Sequence, residues 1–167
     1  MFGKEPELMP RRTKAASKKS RGKKTAAAKP SESCRHCRGG AETFRYMKKN
    51  YLFDVDAARK IVQDGREPLE MDEEDTRHSV DISRIYPEHL PHVNTTYPGI
   101  VAHLWYEQPT GAIEHGTLLI DGHHRAARCL DLGETFRVHV LTEEESRAIM
   151  LTAPDVYERA LQLEAVS

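Results

Sequence analysis

The sequence predicts an α+β domain, a small mixed sheet flanked by helices, preceded by a basic tail that builds no core. Three observations carry this expectation. Short apolar runs of strand length are interleaved with segments of helical period that carry their own caps. Charge is split along the chain: residues 1–40 hold 12 Lys/Arg against 3 Asp/Glu, and residues 41–167 hold 13 against 23. Apolar residues make up 38% and charged residues 31%, so the core must be modest and confined to the acidic body.

The division therefore falls at residue 40, with a disordered basic tail over 1–40 and a folded domain over 41–167. From Arg11 to Lys24 there is no large apolar residue to bury. Lysines and arginines over residues 11–29 suit non-specific contact with nucleic acid through counterion release, although no aromatics interleave them for stacking on bases. A solubilising arm is the plainer alternative. No apolar run reaches membrane-span length and no secretory-type apolar stretch opens the chain. Three cysteines, an odd number, argue against a disulfide framework. The expected location is the cytoplasm.

Ordered structure is expected from near Phe44. Residues 54–65 read as a helix: Asp54 caps it, Val55, Ala58, Ile61 and Val62 form the apolar stripe, and Gly65 closes it. Residues 66–77 are acidic and poorly periodic, which predicts a loop with at most a short strand. Residues 80–85 alternate as a strand would, and 87–98, rich in Pro, His and Asn-Thr-Thr, predict an exposed loop. Residues 99–106 are the strongest strand, turned by Gln108-Pro-Thr-Gly111 into a buried strand at 117–120. A helix over 123–132, stopped by Gly133, and a strand over 136–141 follow. Thr142-Glu-Glu-Glu145 is a capping box, and a last helix begins with Pro154 in its first turn.

Chemistry concentrates at Asp121-Gly122-His123-His124-Arg125, between a strand and a helix N-terminus. Such a terminus presents unpaired backbone N–H groups and a partial positive charge, the setting for phosphate. Gly122 allows close approach of a ligand, Arg125 can fork onto a phosphate, and Arg128 shares a helix face with His124. Asp121 is either an N-cap or, beside a phosphate, a carboxylate that holds Mg2+. The plain alternative is a capped helix whose histidines only bond their neighbours.

Leu119-Ile-Asp-Gly-His-His-Arg-Ala-Ala-Arg128 resembles the signature turn of the ParB/sulfiredoxin superfamily, with the match extending from Leu118 to Leu141. The resemblance implies a ParB/sulfiredoxin-like fold for 41–167 and a site for nucleotide. His123 stands where sulfiredoxins carry their reactive cysteine, so sulfinic-acid reduction is not expected. His124 and Arg125 match the phosphate-binding pair. The Asp-Gly-His-x-Arg form is nearest the free-serine-kinase branch, which implies that Asp121, His123 and Arg125 handle phosphate and metal. That branch also needs a carboxylate base from elsewhere, for which Glu88 is the candidate and Asp81 a weaker one. Only 34 residues follow Gly133, too few for the helix-turn-helix of a partition protein.

Two further features are weighed. Cys34-Arg-His-Cys37 has the spacing of half a Zn2+ site, with ligands completed by distant histidines or a second chain; a mobile thiol pair is the plainer reading. His103 alternates with Val101 and Trp105, which suits a sheet-face histidine, and aimed at the turn it would be a further catalytic candidate beside His123. Cys129 reads as core.

Three functions remain: a nucleotide- or phosphate-binding domain, with Mg2+-dependent phosphoryl transfer or nucleotide hydrolysis as its chemistry; a non-enzymatic nucleotide sensor that holds nucleic acid through its tail; and a nuclease-like hydrolase.

Overall fold

The computed structural model describes residues 34–37, 41–46 and 50–165. Most of the expected basic tail, including all of 11–29, lies outside the described residues. The rest is an α+β body of two sheets. A three-stranded antiparallel sheet has the order β1 (Thr43–Tyr46), β2 (Tyr51–Asp54), β7 (Met150–Thr152). A four-stranded mixed sheet has the order β3 (Leu69–Glu70), β6 (Arg137–Val140), β4 (Gly99–Glu107), β5 (Ile113–Asp121). β4 is antiparallel to β5 and parallel to β6, and β3 is antiparallel to β6.

β4 is the spine of the molecule, and its side chains explain why residues 99–106 read as one apolar run. Ile100, Ala102 and Leu104 pack toward Tyr51, Phe53 and Ala58, joining the second sheet and α1 (Val55–Ile61). Val101 packs with Leu119, Ala126 and Cys129 toward α3 (His123–Leu132), and Trp105 meets Tyr157 and Ala160 of α5 (Asp155–Glu164). A strand covered on both faces has no reason to alternate in polarity. The sheets are also tied by polar bonds: the Tyr51 hydroxyl donates to the Trp105 carbonyl at 2.7 Å and accepts from the Trp105 N–H at 3.1 Å.

Several expectations hold in detail. Asp54 caps α1 by accepting from the Ala57 N–H, and Gly65 takes the left-handed conformation (φ 90°) after the following 3-10 turn. Gly133 ends α3 with φ 64°. Thr142 and Glu145 form both bonds of a capping box at the start of α4 (Glu143–Ala148).

Others need correction. Residues 73–81 form a helix, α2 (Glu73–Asp81), where a loop and the start of a strand were expected. Its buried residues are Thr76 and Ser79, so no apolar stripe announces it. Local chemistry supports it instead: Asp72 accepts from the Asp75 N–H, and three acids occupy the first turn, where the helix field favours them. The alternation at 80–85 is coincidental, since Val80 belongs to the last turn of α2 and Ile82 caps it, partly exposed. β7 was not anticipated; three residues are too few to show a period. Pro154 is the N-cap of α5 and precedes its first turn.

Candidate functional site

The expected turn sits at the floor of a cleft of about 990 Å³. β5 delivers it. Opposite β5, the ladder slips between Ile100 and Val101, which pair with Asp121 and Leu119 and leave Ile120 as the extra residue. A bulge of this kind re-aims the residues that follow it. Gly99, on β4, lets the turn come close: a Cβ there would lie 2.7 Å from the Asp121 carbonyl and 2.6 Å from the Phe136 ring. Gly122 then turns the chain with φ 103° and serves as the N-cap of α3.

Because Gly122 occupies the cap position, no side chain bonds the first-turn N–H groups of α3. Asp121 is not the cap. Its carboxylate is buried and gripped by two guanidiniums: Arg59 Nη2 donates to Oδ1 at 3.0 Å, Arg59 Nε to Oδ2 at 3.2 Å, and Arg125 Nη2 to Oδ2 at 2.7 Å. Burial alone would raise its pKa, but Arg125 and Arg59 together outweigh that and hold it below the usual carboxylate range. Both oxygens are thus engaged and two positive charges stand beside them. This does not fit direct ligation of Mg2+, and the aspartate is an organiser of arginines.

Arg125 keeps its Nε buried without a hydrogen-bond partner, packed where a Cβ on Gly122 would lie 3.1 Å from Nη2. His123 stacks on Phe44 of β1, ring centroids 4.9 Å apart, and its buried Nε2 also lacks a partner. Burial pushes its pKa down to about 4 against the opposing charge of Asp121, so it is a neutral proton acceptor near pH 7. His124 accepts the Tyr86 N–H on Nε2 at 3.1 Å and is likewise held down to about 4, by burial and then by His89 and His36. It too is uncharged, and binds no anion as a cation.

The remaining candidates divide. Arg128 is half-buried one turn along α3 and does not line the cleft. Glu88 is exposed outside the lining, near enough to favour the charged forms of His89 and His124. His103 is not aimed at the turn: it pairs across the ladder with Thr117 and shares a hydrogen bond of 2.8 Å with His115. Cys37 reaches the rim of the cleft, and it and Cys34 both face His89.

Arg59 is the residue that sequence reasoning missed. It comes from α1, 62 residues before Asp121, and also pairs with Glu42 and Asp56. Nothing local marks it, because its partner is supplied by the packing of α1 against the end of β5. Across the whole lining, Arg45, Arg59, Arg84 and Arg125 face two carboxylates, Glu42 and Asp121. Phe44, Tyr46, Tyr86 and Tyr97 add aromatic walls, with the Arg84 guanidinium 5.1 Å over the Tyr86 ring. Among the described residues no helix is long and apolar enough to cross a membrane. Comparison with protein-family models, with curated proteins and with solved structures finds no match for this chain.

Proposed function

We propose that the cleft binds a phosphate-bearing small molecule, a nucleotide, with its phosphates at the N-terminus of α3 and its base against the aromatic wall. One observation carries the reading: a concave site joins a helix N-terminus without a side-chain cap to four arginines that outnumber the carboxylates beside them. Asp121 fixes two of these arginines, so the cationic surface is preorganised. The strand–glycine–helix turn with Asp121, His123 and Arg125 is also what the ParB/sulfiredoxin resemblance implies, and supports assigning residues 41–167 to that class.

The phosphate charge is met here by guanidiniums and backbone N–H groups, and no step is routed through a metal on Asp121. Phosphoryl transfer or hydrolysis is the second reading: it requires the buried, unpartnered Nε2 of the neutral His123 to be uncovered, so that it takes the proton of an acceptor hydroxyl or water.

Thermal unfolding with a panel of nucleotides and inorganic phosphate tests the binding. Ligand at 100 times its Kd should add about 2.7 kcal/mol of stability, a shift of several degrees. Arg45→Ala and Arg84→Ala, both exposed and outside the Asp121 network, should shrink the shift and leave the unliganded melting point unchanged. Absence of any shift with the whole panel would overturn the reading. If turnover occurs, His123→Gln should abolish it and retain the shift.

A further inference from the structure

At the rim of the cleft, two sulfurs and one imidazole nitrogen converge. Cys34 Sγ and Cys37 Sγ lie 3.5 Å and 3.6 Å from the same atom, His89 Nδ1, and all three ligand atoms lie within 4.8 Å of one another. Cys34 and Cys37 flank a single 3-10 turn, closed by the Cys37 N–H to the Cys34 carbonyl at 3.0 Å, which keeps both sulfurs on one side. His89 comes from the loop between α2 and β4, more than 50 residues away.

Zinc bonded to sulfur at about 2.3 Å and to nitrogen at about 2.0–2.1 Å separates the two by about 3.6 Å across a tetrahedral angle. Both observed separations match. A thiol hydrogen bond explains one such contact, but an imidazole nitrogen has a single in-plane direction for a proton and cannot serve two sulfurs equally. A cation shared by the three atoms accounts for both contacts at once. Close by, His36 Nδ1 and His92 Nδ1 are buried without hydrogen-bond partners, and the His36 and His89 rings stand 5.5 Å apart.

The other cluster of this type behaves differently. His103 Nδ1 and His115 Nε2, with Glu143 near, are only 2.8 Å apart. Two nitrogens bound to one tetrahedral zinc stand about 3.3 Å apart at these bond lengths. The shorter distance is that of a direct His–His hydrogen bond, which needs no ion.

We infer that Cys34, Cys37 and His89 form a Zn2+ site with three protein ligands. Cys37 and His89 line the cleft, so the fourth position is open to it. Two thiolates neutralise the ion, and the arginines of the cleft keep their excess charge. The site pins the segment just before β1 to the 83–93 loop that forms the cleft wall. It stands whether or not the cleft takes a nucleotide.

The full chain, reduced and stripped of metal, is titrated with Zn2+ against a chromophoric chelator and, separately, with Co2+. One Zn2+ per chain should bind with submicromolar Kd, and Co2+ should give a thiolate charge-transfer band with the intense visible bands of tetrahedral coordination. Cys34→Ser, Cys37→Ser and His89→Ala should each weaken Zn2+ at least about 100-fold, beyond the usual loss of an outer-shell partner. His89→Cys should retain binding, and so should His115→Ala. Circular dichroism checks that each variant is folded; if His89→Ala is not, the His89→Cys result decides. The assignment is overturned if the wild type binds no stoichiometric Zn2+, if folded His89→Ala binds as well as wild type, if His89→Cys fails to bind, or if His115→Ala alone abolishes binding.

Discussion

Asp121, Gly122 and His123 are adjacent residues with three different duties, and each follows from where its side chain is allowed to go. Asp121 ends a bulged strand and is buried between two arginines. Gly122 takes φ 103°, where a Cβ would press to 3.0 Å from the Gly99 Cα and strain the backbone as well. Gly122→Ala should therefore cost about 1–3 kcal/mol, read as a lowered urea midpoint at unchanged slope. His123 sets a pH dependence. Its imidazole titrates near 6.5 when unfolded and at about 4 when folded, burial being the main cause, with Asp121 opposing and His124 and Arg125 assisting. Above pH 6.5 both states are neutral and it contributes nothing. Between 6.5 and 4 only the unfolded chain takes up the proton, so stability falls as pH falls, by on the order of 3 kcal/mol, then levels. Denaturant unfolding at pH 7, 5.5 and 4.5 should show this slope, and His123→Gln should make it shallower, the remainder coming chiefly from His124, which is likewise held down to about 4. The depressed Asp121 pKa acts lower still, removing stability as pH falls through the folded carboxylate value.

At the level of elements, what could be read in advance was whatever is encoded locally. The N-caps at Asp54 and Thr142 and the glycine stops at Gly65 and Gly133 are short-range chemistry, and each appears where its residues predict it. Thr142→Ala should lose the capping bond from the Glu145 N–H to the Thr142 hydroxyl, keep the one from the residue 142 N–H to the Glu145 carboxylate, and cost about 1 kcal/mol, measured by thermal unfolding, with the cleft untouched. α2 escaped notice because its inward face is Thr76 and Ser79, whose hydroxyl chemistry imitates a loop: Thr76 Oγ1 donates back to the Asp72 carbonyl at 2.6 Å. The same limit applies to the site. The turn at 121–125 was legible as a contiguous string. Arg59 and His89 were not, because each joins its partners only through tertiary packing, and that His103 meets His115 instead of the turn could be seen only once β4 and β5 were in register.

For the molecule as a whole, one strand decides the architecture. β4 is covered by α3 on one side and by the second sheet on the other, so the cleft lies where both layers end, beside Gly99 and the tip of β5. The α+β class was readable from the order of elements. The partition into two sheets was not, since β7 is short and β2 pairs with it across nearly a hundred residues. The site is accordingly assembled from α1, β1, the 83–93 loop and the β5–α3 turn, and none of these is sufficient alone.

Tyr51 and Trp105 give this arrangement a built-in optical gauge. Trp105 is the chain's only tryptophan, 4% exposed, edge-on to Tyr157 of α5 at 5.6 Å and 4.9 Å from the His115 ring. Its backbone is the point where Tyr51 stitches the two sheets. Intrinsic fluorescence therefore reports the joint itself: its emission should move to the red in a single step as the sheets part, coincident with the loss of helical circular dichroism. An indole signal that shifts ahead of the helices would mean instead that the two layers can separate while each still holds its shape.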